Sequence, residues 1–288
     1  MIEERRASAV GLVVSAAVSV QIGAAVAKSL FPSFGPAGVV FLRLVFGSAA
    51  LWAIGRPELR GRERSDLRLV AVLGVVLVSM NVCFYESLSR VPLGIAVTIE
   101  FLGPLAVAVV GSRRALDLVW VGLAGAGVAL LADSRGGTAH ISGIALAAAA
   151  GFFWALYIII GTRVGARFQG VSGLAPAMVL GAVLIAPWGI YSAGHHLRDA
   201  QLVGAAVGVG LLSSALPWSL EIEAMRRVPL YVFGVVSSLE PAVAAFAGLL
   251  FLHEHLHGRA WVAIAFVIMA SAGAAVRRRS PVASTPPA

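Results

Sequence analysis

Ten apolar runs follow one another along almost the whole chain, and each is about as long as a bilayer's hydrocarbon core is thick. They are Ala7–Ala27, Pro36–Ile54, Leu67–Leu88, Leu93–Val110, Leu116–Ala132, Ile141–Gly161, Ser172–Ile190, Ala200–Ile222, Leu230–Leu250 and Arg259–Val276. A helix needs roughly 17–25 apolar residues to cross ~30 Å of hydrocarbon. A backbone in lipid must pair its own N–H and C=O groups, so such runs become helices. Of the 288 residues, 59% are hydrophobic and 12% charged, against about 25% charged in a soluble domain. The expected fold is all-α and integral to a membrane, with ten transmembrane helices. The links are too short to hold a soluble domain.

The formal charge of +8 follows topology. With a cytoplasmic N-terminus, the inner segments hold Arg5, Arg6, Arg56, Arg60, Arg62, Arg64, Arg68, Arg113, Arg114, Arg163, Arg167, Arg226, Arg227, Arg277, Arg278 and Arg279, 16 of the 22 basic residues. The outer segments hold Lys28, Arg90, Arg135, Arg198 and Arg259, and Arg43 lies inside a run. This positive-inside bias places both termini in the cytoplasm. No segment interleaves basic residues with stacking aromatics, so the expected surroundings are a bilayer and not nucleic acid. Arg5 and Arg6 before the first run resemble a signal peptide, but the run exceeds a typical signal core and is expected to be a retained helix. Cys83 has no second cysteine to pair with and reads as a small core residue. Residues 277–288 read as a disordered cytoplasmic tail.

The chain repeats itself weakly. Arg90-Val91-Pro92-Leu93 recurs 137 residues later as Arg227-Val228-Pro229-Leu230, and at that offset Pro104 falls on Pro241, Glu86 on Glu223 and Gly111 on Gly248. A four-residue shift then places Trp120-Val121 on Trp261-Val262. The expected units are 7–132 and 141–276, with five helices each. An odd number makes the second unit enter from the opposite face, so the repeats are inverted. Such folds hold substrate near the midplane at the repeat interface and suit alternating access. Pro92 and Pro229 are expected to start their helices, where a missing N–H costs nothing.

Two elements combine a carboxylate with a proline inside a run: Glu100-Phe101-Leu102-Gly103-Pro104 and Glu240-Pro241. Glu100 lies roughly 10 Å, and Glu240 roughly 15 Å, into its run. A carboxylate is costly there, so its default reading is functional, as a proton-coupling or substrate-amine site; the alternative is a carboxylate buried and paired. Pro104, Pro241 and Pro217 each free a carbonyl and break or bend a helix. Arg43 reads either as the holder of a substrate carboxylate or as a glutamate's fixed counter-ion. Lys28 reads as a substrate group or an interfacial anchor, and Glu221 as a gate or a solvated helix end beside Arg226 and Arg227. Glu86 has Arg90 four residues on and suits a surface ion pair. Gln21, Asn81, Tyr85, Thr98, Trp154, Tyr157, Ser213 and Trp218 are the candidate cavity lining. Trp52, Trp120, Trp188, Tyr191 and Trp261 suit an interfacial belt.

His253-Glu254-His255-Leu256-His257 matches the HExxH pattern of zinc proteases. Catalytic zinc needs a third protein ligand, and no Asp, Glu, His or Cys follows His257. A metalloprotease is therefore not the expected function; a weak surface metal site is the other reading of these histidines. No phosphate-cradling loop is present, so no ATP-driven step and no cofactor is expected. A non-transporting membrane scaffold is the remaining different class.

Several motifs resemble the threonine/homoserine exporter branch of the drug/metabolite transporter superfamily. They are Val91-Pro92-Leu93-Gly94-Ile95-Ala96-Val97 with Glu100-Phe101 and Gly103-Pro104-Leu105-Ala106-Val107-Ala108; Ser214-Ala215-Leu216-Pro217 with Ser219-Leu220-Glu221; and Phe233-Gly234 with Ser238-Leu239-Glu240-Pro241-Ala242. Ala27-Lys28-Ser29-Leu30-Phe31-Pro32 and Leu42-Arg43-Leu44 are similar to its first two helices. Phe251-Leu252 and Glu254 are similar to a Leu-Gly-Glu ending of helix nine, with His253 in place of the glycine. The resemblance spans about Ala7 to Val276. It implies two EamA repeats, a bacterial plasma-membrane location, and export of small amino acids or related metabolites, with proton antiport as the energy source. Nucleosides, drugs and other amphiphiles are the alternative cargo.

Overall fold

The computed structural model describes residues 2–57, 61–110, 117–132, 140–227 and 230–277, and among these no strand occurs. Thirteen α-helices follow in order: α1 Ile2–Ser29, α2 Phe31–Gly55, α3 Arg64–Leu88, α4 Leu93–Glu100, α5 Leu102–Val110, α6 Asp117–Ala132, α7 Ile141–Gly165, α8 Leu174–Ala193, α9 Ala200–Gly210, α10 Leu216–Arg227, α11 Leu230–Ser237, α12 Glu240–Leu252 and α13 Gly258–Arg277. A 3₁₀ turn, Gly194–Arg198, follows α8, and a π-helical turn, Leu211–Ala215, joins α9 to α10. Seven stretches are long and apolar enough to cross a membrane, and Leu93–Val107, Val119–Leu131 and Gly258–Gly273 are shorter apolar helices. Large apolar side chains such as Val72, Phe152, Val183 and Leu250 point outward, as lipid-facing residues do.

Three runs expected as single helices are interrupted. The fourth breaks at Phe101 and the ninth at Ser238-Leu239. Each break lies just N-terminal to a proline, because Pro104 and Pro241 offer no N–H to Glu100 and Ser237 four residues back. Adding 137 to both bounds of α4 gives both bounds of α11, so the break recurs in register. The eighth run swells into the π-turn two residues before Pro217, the insertion through which a helix can absorb a proline. Gly35, with φ 65° and ψ 165°, kinks α2 immediately before Pro36, as the residue before a proline avoids the helical region. Pro92 precedes α4 in extended conformation, as expected; Pro229 and residues 278–288 of the expected tail lie outside the described residues.

Within lipid there is little hydrophobic drive between helices, so close backbone packing must hold them together. The most extensive contacts are α2 with α8, α3 with α7, and α6 with α13, each uniting the first half of the chain with the second. Gly103 lies directly on the backbone of Gly151 in α7, and Gly94 on that of Ala245 in α12. A methyl group at either position would collide with main chain. Trp120 departs from its expected place in an interfacial belt: its ring packs against Gly273 between α6 and α13. Trp52, Trp188 and Tyr191 are exposed near helix ends, as a belt requires.

The links sort into two ends. At one, Lys28 Nζ meets Glu254 Oε1 at 2.6 Å and the Val91 carbonyl at 2.8 Å, while Ser192 Oγ donates to the Phe34 carbonyl at 2.8 Å. At the other, Arg167 meets Asp66 at 2.8 Å. Each contact joins links that the charge bias assigns to the same face.

Candidate functional site

Arg43, about midway along α2, reaches the π-turn. Its Nη2 donates to the Ser213 carbonyl at 2.8 Å, Nη1 to the Tyr85 hydroxyl at 3.2 Å and Nε to Ser214 Oγ at 3.4 Å. In an α-helix the Ser213 carbonyl would accept from residue 217, which is a proline. The guanidinium therefore meets a carbonyl that Pro217 has released. Gly47, one turn further along α2, makes room for Ser214, so a single α2 face receives the π-turn. The guanidinium carbon also lies 5.5 Å from the Tyr85 ring centroid, within cation–π range. Three of its five N–H donors are used, leaving two for another acceptor.

Around this anchor the structure gathers carboxylates from both halves. Glu100 ends α4 and is 8% exposed. Glu240 begins α12 across the other break, and Glu221 lies on α10. Glu240 is within electrostatic range of both Glu221 and Glu100, Glu100 of Arg43, and Glu221 of Tyr157. Among the described residues no ion pair or hydrogen bond engages the three carboxylates. Arg43 is thus a neighbouring positive charge for Glu100 without directly bonding to it. Glu221 faces this cluster, which separates it from a merely solvated helix end. The dipole ends differ: Glu240 lies in the first turn of its helix and Glu100 in the last of its own, so the local fields are opposite.

Aromatic pairs close the surroundings. Tyr157 on α7 stacks on Trp218 of α10, with centroids 6.5 Å apart and planes at 19°. Trp154, one turn earlier, meets Phe101 edge-on at 5.1 Å, directly at the break after Glu100. Cys83 is half-buried and within electrostatic range of Glu100. Asn81 is buried and donates to the Leu77 carbonyl of its own helix at 2.8 Å. Gln21 is buried on α1 with its side-chain oxygen unpartnered, and so is the Ser213 hydroxyl. Thr98 is buried and donates to the Gly94 carbonyl.

Lys28 stands apart from the cluster. Besides its pairing with Glu254, Glu254 Oε2 accepts from the Leu93 backbone N–H at 2.8 Å. The two side chains thereby tie the ends of α1 and α12 to the start of α4. Glu254, the glutamate of the HExxH match, is committed to capping a helix. His253 before it adopts the left-handed conformation, φ 54° and ψ 32°, which glycine occupies most readily. Glu86 pairs with Arg90 at 2.8 Å, as expected, and Glu223 pairs with Arg227 at 2.6 Å at the repeat-related position.

Sequence reasoning missed Phe101 as the partner of Trp154, Ser214 as an acceptor for Arg43, and Glu254 as a cap. Counting four residues back from Pro217 would have marked Ser213 as a released carbonyl. No comparable signal links Glu254 to Leu93, because the contact crosses 161 positions.

Residues 7–132 and 141–276 each match the EamA-like transporter family. The chain belongs to that family. This EamA-like chain is 42% identical over 267 residues to the threonine/homoserine exporter RhtA of Escherichia coli K12, covering 92% of this chain and 90% of that one. It is equally identical to RhtA of Salmonella typhimurium LT2, over 91% and 90% of the two chains. The uncharacterized transporter YxxF of Bacillus subtilis is 23% identical over 262 residues, covering 84% of this chain and 81% of that one. One crystal structure superposes with a TM-score of 0.64 at 20% identity, over 95% of this chain and 99% of that chain; this likeness concerns the fold alone. Membership makes the EamA-like chain a transporter, not an enzyme.

Proposed function

We propose that the chain exports small amino acids of the threonine/homoserine kind across a bacterial inner membrane, by proton antiport with alternating access. Ten crossings in two inverted five-helix repeats, with both termini in the cytoplasm, form the frame. The observation that carries this reading is the convergence of Glu100, Glu221 and Glu240, unpaired, with Arg43 between the halves. Relatives named as threonine/homoserine exporters support the cargo. The packing supports the inverted frame: α3 on α7 has its repeat image in α10 on α1, and α5 on α7 in α12 on α1.

The two uncommitted donors of Arg43 suit the substrate carboxylate. The carboxylates suit its ammonium group or a proton, one replacing the other. Exchange at a single site couples the fluxes, because a protonated carboxylate no longer holds the ammonium. The breaks at Phe101 and at Ser238-Leu239 place a helix interruption beside a glutamate in each half.

Purified protein in liposomes, with radiolabelled threonine or homoserine and an imposed pH gradient, tests the reading. Transport should follow the gradient and stop when an ionophore dissipates it. Glu100→Gln and Glu240→Gln should each cut gradient-driven flux at least about tenfold, the scale of losing a charge-assisted contact of 1.5–3 kcal/mol. Movement of neither amino acid, or flux indifferent to the gradient, refutes the proposal.

A further inference from the structure

We infer that a cleft between α3 and α7 binds the phosphate of an anionic lipid headgroup from the inner leaflet. The cleft, of about 570 Å³, is lined by Ser65, Arg68, Leu69, Val72, Arg163, Ala166 and Arg167. It lies at the end of the bundle where the first turns of α3 meet the last turn of α7. That end carries the arginines the positive-inside bias assigns to the cytoplasm. Three arginines line it: Arg68 of α3, Arg163 of α7 and Arg167 just beyond the end of α7. Arg167 is committed to Asp66 at 2.8 Å, which fixes it at the rim. Arg68 and Arg163 are exposed, and among the described residues neither has an ion pair or hydrogen bond. Ser65 turns its hydroxyl to Glu63 at 3.1 Å, so the cleft's free polar groups are cationic.

One further feature selects a lipid over a free anion. One helical turn along from Arg68, α3 presents Val72 and Val75, each 49% exposed, as a strip for acyl chains. Beside the cleft, Arg62 stacks 4.6 Å over the buried Phe168 ring and donates to the Arg167 carbonyl at 3.1 Å, which ties the link after α7 to the link before α3. A phosphodiester held by Arg68 and Arg163 has its tails directed along that strip. Basic pockets between membrane helices on the cytoplasmic side recognise headgroups through this chemistry.

Native mass spectrometry of the full-length protein in detergent, titrated with phosphatidylglycerol, phosphatidylcholine or inorganic phosphate, tests the site. The expected result is one phosphatidylglycerol retained in preference to phosphatidylcholine, without competition from millimolar phosphate. Arg68→Gln with Arg163→Gln should weaken retention about thirtyfold, given roughly 1 kcal/mol per basic residue near an anionic surface. The charge-matched pair Arg56→Gln with Arg227→Gln should leave it unchanged. Equal retention of phosphatidylcholine, equal loss in both double variants, or displacement by phosphate overturns the inference. Because binding is read directly, the outcome is independent of whether threonine is the cargo.

Discussion

Arg43 is held where the backbone needs a donor. It meets the Ser213 carbonyl that Pro217 releases, and that contact orients the guanidinium beside Glu100. Arg43→Ala should cost roughly 1–2 kcal/mol, the scale of interhelical hydrogen bonds in membranes, and abolish gradient-driven transport. Arg43→Lys should recover most of the stability but little of the transport, since an ammonium cannot match the planar guanidinium fork. Thermal unfolding in detergent and liposome flux separate the two effects. Glu100 and Glu240 stood out in the sequence because charge inside a membrane run is expensive. For Glu221 the sequence left two readings, a gate or a solvated helix end beside Arg226 and Arg227, and the fold brings it within electrostatic range of Glu240.

At the scale of elements, Pro104 and Pro241 keep their runs from forming continuous helices. Replacing either by alanine supplies the missing N–H and removes a helix penalty of up to about 3 kcal/mol. The expected outcome is flux reduced several-fold with an unfolding midpoint equal to or above the parent's. Gly103→Ala should act oppositely, since its methyl meets the Gly151 backbone; overpacking of about 1–3 kcal/mol lowers the midpoint. Parallel melting and flux curves for these variants check both statements. That the runs break was legible from the prolines. The π-turn was not, because its position depends on α2 offering Gly47 and Arg43 to receive it.

For the molecule as a whole, the proposed inverted five-helix repeats with cytoplasmic termini make a direct prediction. A reporter active only in the cytoplasm should work when fused after residue 277, and one active only outside should work when placed in the link at 133–139. Activity on the same side for both would break the five-plus-five arrangement. By itself the sequence determined the all-helical membrane class, the ends of most runs and the repeat offset, because bilayer thickness, backbone pairing and charge asymmetry act locally along a chain. It also marked Glu100, Glu240 and Arg43 as anomalies. Only the tertiary structure decided which anomalies meet. Lys28 is drawn to Glu254, 226 positions away, and out of the cluster. Arg43 is bound to a released carbonyl 170 positions away, and Glu221 is brought in. These outcomes depend on close approaches between helices of opposite halves, which small residues permit but no local pattern specifies.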